Sequence, residues 1–422
     1  MKYAVVWFRN DLRLRDNPVL EEALRMADQV IPFYCFDPHF YEDTYLGFPR
    51  TGSFRAQFRR ESVAALQASL QERGSDLYIH YGTPMEGLRE LARRYDFQAI
   101  YTAREETREE REREDRVSGN GWAIMRISQH ELYRAEDLPF DREERMPGVY
   151  TAFRKKVEKY AEIRPEIPAP DQVPIPEDLP ETSPPSLSTL GLPSVERDER
   201  GVLAFQGGEA AAWQRLQHYL WDTQQLSRYK ITRNGLLGAD YSSKFSAWLA
   251  AGCLSPVSIY WQIKAYEQQI ESNSSTYWLY FELMWRDFFR HLAGAHGDAF
   301  FRMPRHWKPR VDERFEQWTT GETGQDFVDA NMRELFYTGY MSNRGRQNVA
   351  SYLVRELEQP WYAGALWFES QLIDHDVCSN YGNWTYVAGV GNDPRKHRWF
   401  NVNGQAQRYD ADGSYRRHWG LS

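Results

Sequence analysis

RPEIPAPDQVPIPEDLPETSPP, residues 164–185, splits the chain into two parts that read differently. Proline and acid dominate this stretch, and large apolar residues are scarce. It predicts an extended connector rather than a folded unit, and the same bias continues to residue 200. Upstream, apolar runs at Tyr3–Phe8, Val30–Phe36, Asp76–His80, Gln98–Thr102 and Trp122–Ser128 alternate with helical stretches at Pro18–Ala27, Phe54–Glu72, Met85–Arg94 and Thr107–Val117. Such alternation predicts an α/β unit, a parallel, doubly wound (Rossmann-like) sheet with helices on both faces. No Gly-x-Gly-x-x-Gly follows the first strand. Trp7-Phe8-Arg9-Asn10-Asp11 stands there instead, which argues against a conventional dinucleotide site in this part. Downstream, strand signals nearly vanish and helical segments take over, among them Gly208–Asp222, Tyr277–Leu292, Gly324–Tyr337 and Arg346–Leu357. The expected organisation is an α/β unit over 1–135, a connector over 136–204 and an all-helical unit over 205–422. A chain of 422 residues is long enough for about two or three domains.

With 41% hydrophobic and 27% charged residues, the chain is globular rather than disordered. It has no apolar run long enough for a bilayer, and its first residues do not read as a signal peptide. Cys35, Cys253 and Cys378 lie far apart without metal-ligand spacing, so the expectation is a reducing cytoplasm and no structural metal. The net charge of -8 argues weakly against nucleic acid, but phosphate contact is local. Acid gathers at Glu106–Asp115 and Glu158–Glu199. Basic residues mix with aromatics at Arg302–Arg314, Arg344, Arg346 and Arg395–Arg398, which permits a basic groove. Of 15 tryptophans, all but two lie beyond residue 200, so the helical part is the unusual one.

Three segments of that part carry candidate chemistry. In RNGLLGADYSSKFS (233–246), Gly235 and Gly238 loosen the chain and Ser242 and Ser243 precede a helix. Free N–H groups at a helix start suit a diphosphate, and Lys244 could add charge. Gly252 reads as a stop, and Ser255-Pro256 as cap and first residue of the next helix. Local rules alone favour ordinary capping here. In Phe281–His291, Glu282, Trp285 and Arg286 share one helical stripe. They could bond, stack on and neutralise a nucleotide, or form a buried aromatic face with an internal ion pair. In Met341–Asn348 and Leu372–Trp384, Asp374 could pair with Arg346. Asp374 and Asp376 could invite a divalent metal, but no third acid lies nearby, so no metal is expected.

On these segments the chain resembles the photolyase/cryptochrome family, within it the cryptochrome DASH type. The resemblance runs from Val6-Trp7-Phe8-Arg9-Asn10-Asp11-Leu12-Arg13 through Gly47–Arg55, Asn234–Pro256, Ser342–Ala350 and Asp376–Trp384 to Gly391-Asn392-Asp393-Pro394. It implies an antenna-binding α/β domain joined to a helical domain that holds FAD. By position, Tyr229, Ser242, Ser243, Lys244, Phe245 and Ser246 match residues around the FAD phosphates. Asp374, Asp376 and Asn380 match residues around the flavin ring and ribose, and Arg346 matches the partner of Asp374. Trp384, Trp361 and Trp307 resemble the family's electron-transfer chain, with Trp318 close to the last of them in sequence. Glu282, Trp285 and Asn380 match catalytic positions. Arg233, Glu282, Trp285, Asn343, Arg344, Gln347 and Tyr386 match the DNA lesion pocket. Glu110 or Glu109 matches an antenna-contacting glutamate for a chromophore such as 5,10-methenyltetrahydrofolate, the rest of that run reading mostly as a solvated face.

The resemblance implies blue-light-driven repair of cyclobutane pyrimidine dimers by reduced FAD, on single-stranded or looped DNA, by a cytoplasmic monomer. No histidine stands in Ser342–Gln347, which disfavours the (6-4) lesion. The alternative is a blue-light photoreceptor or DNA-binding regulator without efficient repair; a light-independent flavin oxidoreductase lacks a visible nicotinamide site. Three departures from the family pattern stand out. Thr323-Gly324-Gln325-Asp326 replaces Thr-Gly-aromatic-Pro, which predicts a different local helix entry and a change in part of the pocket. The stretch from Phe301 to Trp307 is shortened, and the chain stops soon after the family core with no signalling tail.

Overall fold

Tyr3–Phe8 is apolar on both faces because it is the central strand, β1. In the computed structural model, which describes residues 1–119, 121–140, 146–303, 307–391 and 399–421, it lies between β2 (Gln29–Phe36) and β4 (Phe97–Ala103). β3 (Tyr78–Tyr81) and β5 (Ala123–Ile127) complete a five-stranded sheet of order β3-β2-β1-β4-β5. All pairs are parallel, with Val5 opposite Ile31 on one side and Ile100 on the other. The crossing helices are Pro18–Met26, Ser53–Gln71, Pro84–Ala92 and Arg108–Ser118. Every strand and helix expected in this half is present, with ends shifted by one or two residues.

The period-two alternation of β1 sorts its side chains. Val5 and Trp7 enter a small core with Leu88, Leu91 and Phe97. Ala4, Val6 and Phe8 face the other way, into a core that continues without a break through the helical half. Helix Ser274–His296 is the longest in that half; Val377–Ala388 packs on it, and Asn343–Arg355 and Trp361–Gln371 pack in turn on Val377–Ala388. The expected helix Gly208–Asp222 runs as an α-helix only over Glu209–Gln217, then widens into a π-type turn over His218–Asp222.

The described part of the segment expected as a connector packs against the rest of the chain. Helix Tyr150–Tyr160 falls within it and packs Tyr150 and Phe153 on Phe288 of the long helix. The proline-rich stretch has no helix or strand of its own, as its composition requires, yet its backbone is bonded to the sheet. Val30 N–H donates to Pro174 O at 2.8 Å. At β3, Ile79 N–H donates to Thr182 Oγ1 at 2.7 Å, and Thr182 donates to Leu77 O at 3.1 Å. The two halves meet at Gly252, whose φ of +74° ends the short helix Ser246–Ala251. A Cβ there would lie 1.9 Å from Asn10 O, so only glycine lets the two backbones approach this closely.

Candidate functional site

Residues 233–246 form a loop held in shape from outside. Arg215 donates to the carbonyls of Ala239, Ser242 and Ser243, each at 3.0 Å, and to Asp240 Oδ1 at 2.7 Å. Ser243, Phe245 and Ser246 then line a cavity of about 450 Å³ in the helical half. Ser255 caps the next helix through Val257 N–H, with Pro256 at its first position. Two residues expected at the site do not reach it with their side chains. Ser242 is absent from the cavity wall. Lys244 is buried with its ammonium 3.1 Å from the centre of the Tyr241 ring, and it has no hydrogen-bond partner. The expected charge of Lys244 on a phosphate is therefore corrected. Burial drives its pKa well below the ordinary lysine value, and the nearby carboxylate of Glu334 opposes this only in part.

The long helix presents Glu282, Trp285, Arg286 and Phe289 to the same cavity, as the spacing of three and four dictates. The Glu282 carboxylate pairs with Arg233, and Tyr229 lies beside them. Burial raises the Glu282 pKa and Arg233 works against the rise. Trp285 is stacked on Tyr150 at 3.7 Å and 11°, so one face of the indole is already covered. Tyr386 meets it edge-on at 6.1 Å. From helix Asn343–Arg355, capped by Ser342, come Asn343, Arg346 and Gln347. Arg344 points off the cavity: it donates to Gln347 Oε1 at 2.9 Å and Asn234 Oδ1 at 3.0 Å, and so positions Gln347.

Arg346 donates to Asp374 Oδ2 at 2.8 Å, which leaves Asp374 Oδ1 buried without a partner at the cavity wall. A buried carboxylate oxygen in that state is an acceptor waiting for a ligand N–H or O–H. Asp376 caps helix Val377–Ala388 and accepts from Ser379 N–H at 2.7 Å and from Arg290 at 2.9 Å. Burial opposes its charge, but Arg290, Arg286 and the Ser379 bonds outweigh it and hold the carboxyl below its usual range. Asn380 is fixed by a 3.0 Å bond from its side-chain N–H to Ala365 O. Trp384, also at the wall, packs edge-on against Phe368 at 5.1 Å. Trp361 is buried, and Trp307 is 41% exposed. His375, which lines the cavity, carried no signal in sequence beyond its place between two aspartates.

A second cavity, of about 660 Å³, opens at the carboxyl ends of β1, β2 and β4. That is where a doubly wound sheet reverses its strand order and accepts ligands. Glu109 and Glu110 both line it. The helix carrying them is not mainly solvated: Arg111, Glu112, Asp115 and Arg116 face water, but Glu114 turns inward to Arg9 at 2.7 Å. Glu109 receives Arg50 at 2.7 and 2.9 Å and lies 2.8 Å from His39 Nε2. Burial opposes its charge, but these bonds hold its carboxyl below the usual range. Burial and the neighbouring Glu105 push Glu110 the other way, up to about 8. Ala250, His375 and Asp376 line both cavities. Thr323, Gly324, Gln325 and Asp326 line neither, and Asp329 closes their helix start by accepting from Thr323 and Gly324 N–H at 2.9 Å each. Residues Pro304–His306 in the shortened stretch, Asn392-Asp393-Pro394 and the Arg395–Arg398 cluster lie outside the described residues. Among the described residues no His, Cys, Asp and Glu group is arranged for a metal ion, and no helix is long and apolar enough to cross a membrane.

Residues 4–174 match the family model for DNA photolyase, and residues 278–420 match that for the FAD binding domain of DNA photolyase. Cryptochrome DASH of Gloeobacter violaceus is 48% identical over 99% of this chain and 85% of its own length. That of Xenopus laevis is 47% identical over 97% and 81%. The crystal structure of the Synechocystis cryptochrome has a TM-score of 0.94 at 46% identity, covering 99% of this chain and 88% of that one. A class III photolyase from Agrobacterium tumefaciens has a TM-score of 0.84 at 28% identity, covering 99% and 86%. With its parallel five-stranded α/β domain, its helical FAD-binding domain and these relatives, the chain belongs to the cryptochrome DASH group of the photolyase/cryptochrome family.

Proposed function

We propose that this protein repairs cyclobutane pyrimidine dimers with blue light, acting on single-stranded or looped DNA as a cytoplasmic monomer. One observation carries the reading. The residues expected to hold FAD and those expected to meet the lesion line a single cavity, with Glu282, Trp285 and Arg233 beside Ser243, Asp374 and Asn380. Bound FAD supplies, in its reduced and photoexcited form, one electron that splits the dimer and is then recovered. The protein's share is positioning and electrostatics. Asp374, through its free Oδ1, Asp376 and Asn380 hold the ring end. Tyr229, Ser243, Phe245 and Ser246 hold the remainder, with Ser242 and Lys244 limited to main-chain contacts.

Glu282 is the group that meets charge developing on a dimer carbonyl: it faces the cavity beside Arg233, and burial shifts its pKa upward while Arg233 opposes the shift. Trp285 offers its uncovered side to a flipped base, and Asn343, Gln347 and Tyr386 complete the wall. A base already unpaired costs less to bring in, which favours single strands. With flavin bound, Trp384, Trp361 and Trp307 would be the residues that supply it with electrons from the protein side. In the second cavity, ionised Glu109 and protonated Glu110 offer an acceptor and a donor, a pairing that suits a folate-type heterocycle such as 5,10-methenyltetrahydrofolate as antenna. The test is blue-light turnover of dimer-containing oligonucleotides; equal or absent turnover on single strands relative to duplex overturns the proposal. The curated relatives are named cryptochromes, and this favours the second reading, a photoreceptor or DNA-binding regulator. DNA binding without turnover would establish it.

A further inference from the structure

We infer that Tyr362 and Tyr381 form a branch of the light-driven electron path that ends in a tyrosyl radical at the second cavity, with Glu369 as proton acceptor. The inference rests on the tryptophan path proposed above and extends it to residues outside that path. Trp361 is the middle member of the path. Its ring centroid lies 5.8 Å from that of Tyr362, and Tyr362 lies 5.7 Å from Tyr381. Among the described residues Trp361 meets one other ring, that of Tyr362, so the run of aromatic rings that starts at Trp361 leads toward the tyrosines rather than to Trp307. Tyr381 donates its hydroxyl to Glu369 Oε2 at 2.9 Å. All three residues, Tyr362, Tyr381 and Glu369, line the cavity of about 660 Å³.

The chemistry of phenols makes the hydrogen bond decisive. Removing an electron from a phenol turns its O–H into a strong acid, so oxidation is feasible only where a base can take the proton in the same step. Glu369 is such a base: its other oxygen is paired with Arg50 at 3.5 Å, and it is aimed at Tyr381. Burial and this carboxylate raise the Tyr381 pKa well above the ordinary value, so the phenol keeps its proton until an electron leaves. The step balances. An indole radical cation on Trp361 gains one electron and becomes neutral Trp361. Tyr381 loses that electron, which tunnels through the Tyr362 ring without oxidising it, and its hydroxyl proton moves to Glu369, giving a neutral phenoxyl radical and a carboxylic acid. Arg50 does not become isolated, because it stays bonded to Glu109 at 2.7 and 2.9 Å. A soluble thiol supplies the hydrogen atom that restores the phenol and leaves as a thiyl radical, while Glu369 releases its proton to solvent through the cavity it lines. If the two rings serve only to pack, none of this requires their oxygen atoms.

The experiment illuminates the flavin-loaded, oxidised protein without DNA and identifies the trapped radical by electron paramagnetic resonance and transient absorption. The expected result is a neutral phenoxyl signal that forms more slowly in deuterated solvent. It is lost in Tyr381→Phe and in Glu369→Gln, variants that keep the ring and the shape of the acid. Flavin absorbance and far-ultraviolet circular dichroism confirm that each variant is folded and loaded. A phenoxyl signal retained in the Tyr362→Phe/Tyr381→Phe double variant overturns the branch. So does an indole radical alone in the parent protein when Trp384→Phe blocks flavin photoreduction, an outcome that leaves the tryptophan path standing. Normal photoreduction in Trp384→Phe removes the path itself and the branch with it.

Discussion

Glu282 stands between burial, which favours its neutral form, and Arg233, which favours its charge. Its replacement by alanine is expected to lower the repair yield by about a hundredfold while flavin stays bound, the low end of what one positioned acid–base side chain contributes; yield per absorbed photon measures it. Glu110 titrates in the opposite sense from a salt-bridged acid. Its folded pKa of about 8 lies above the ordinary 4.5, so folding takes up a proton. Stability from this group is complete below the ordinary carboxylate range and is lost as pH rises through about 8. Glu110→Gln is neutral at every pH, so its urea midpoint should gain on that of the parent protein across this window; parallel pH profiles refute the assignment. The stripe of Glu282, Trp285 and Arg286 was legible because one helix carries it. Arg215 was not, since its partners in the loop lie 24 or more positions away and no local pattern links them. Lys244 misled for a related reason: beside two serines it suggests a phosphate, but the backbone at its φ of +57° sends the side chain into an aromatic pocket.

Among the elements, the strands could be read almost to the residue because each apolar run is bounded by charge or turn residues. The docking of the proline-rich stretch could not. Proline removes donors and forbids a regular ladder, which composition reveals, but the acceptors left on Thr182 and Pro174 find their donors only in the folded sheet. The π-type turn after Gln217 likewise interrupts a sequence that reads as one helix. Gly252 gives the sharpest test at this scale. Alanine there meets both a left-handed backbone and the main chain of Asn10, and is expected to cost about 3 kcal/mol or more in urea unfolding. A loss under about 1 kcal/mol, the ordinary cost of leaving a helix stop, would show that the two halves do not press together at this point.

Across the whole molecule, a net charge of -8 repels DNA at long range, so attraction depends on the few arginines near the cavity. Arg344→Ala is expected to weaken single-strand binding similarly for all sequences and to lower the slope of log affinity against log salt by about one. Fluorescence anisotropy at several salt concentrations measures this, and an unchanged slope removes Arg344 from phosphate contact. The two-part architecture was legible from the composition change at residue 164. The single core shared by both parts was not, because period-two alternation in β1 says which side chains are opposed and not what covers them. The strap at Thr182 also bears on how copies of this protein behave together. β3 ends the sheet, and its free backbone groups would otherwise invite another chain to add a strand. With Thr182 seated there, the Ile79 N–H and the Leu77 carbonyl are already taken by the molecule's own chain, which leaves an incoming strand fewer partners on that margin.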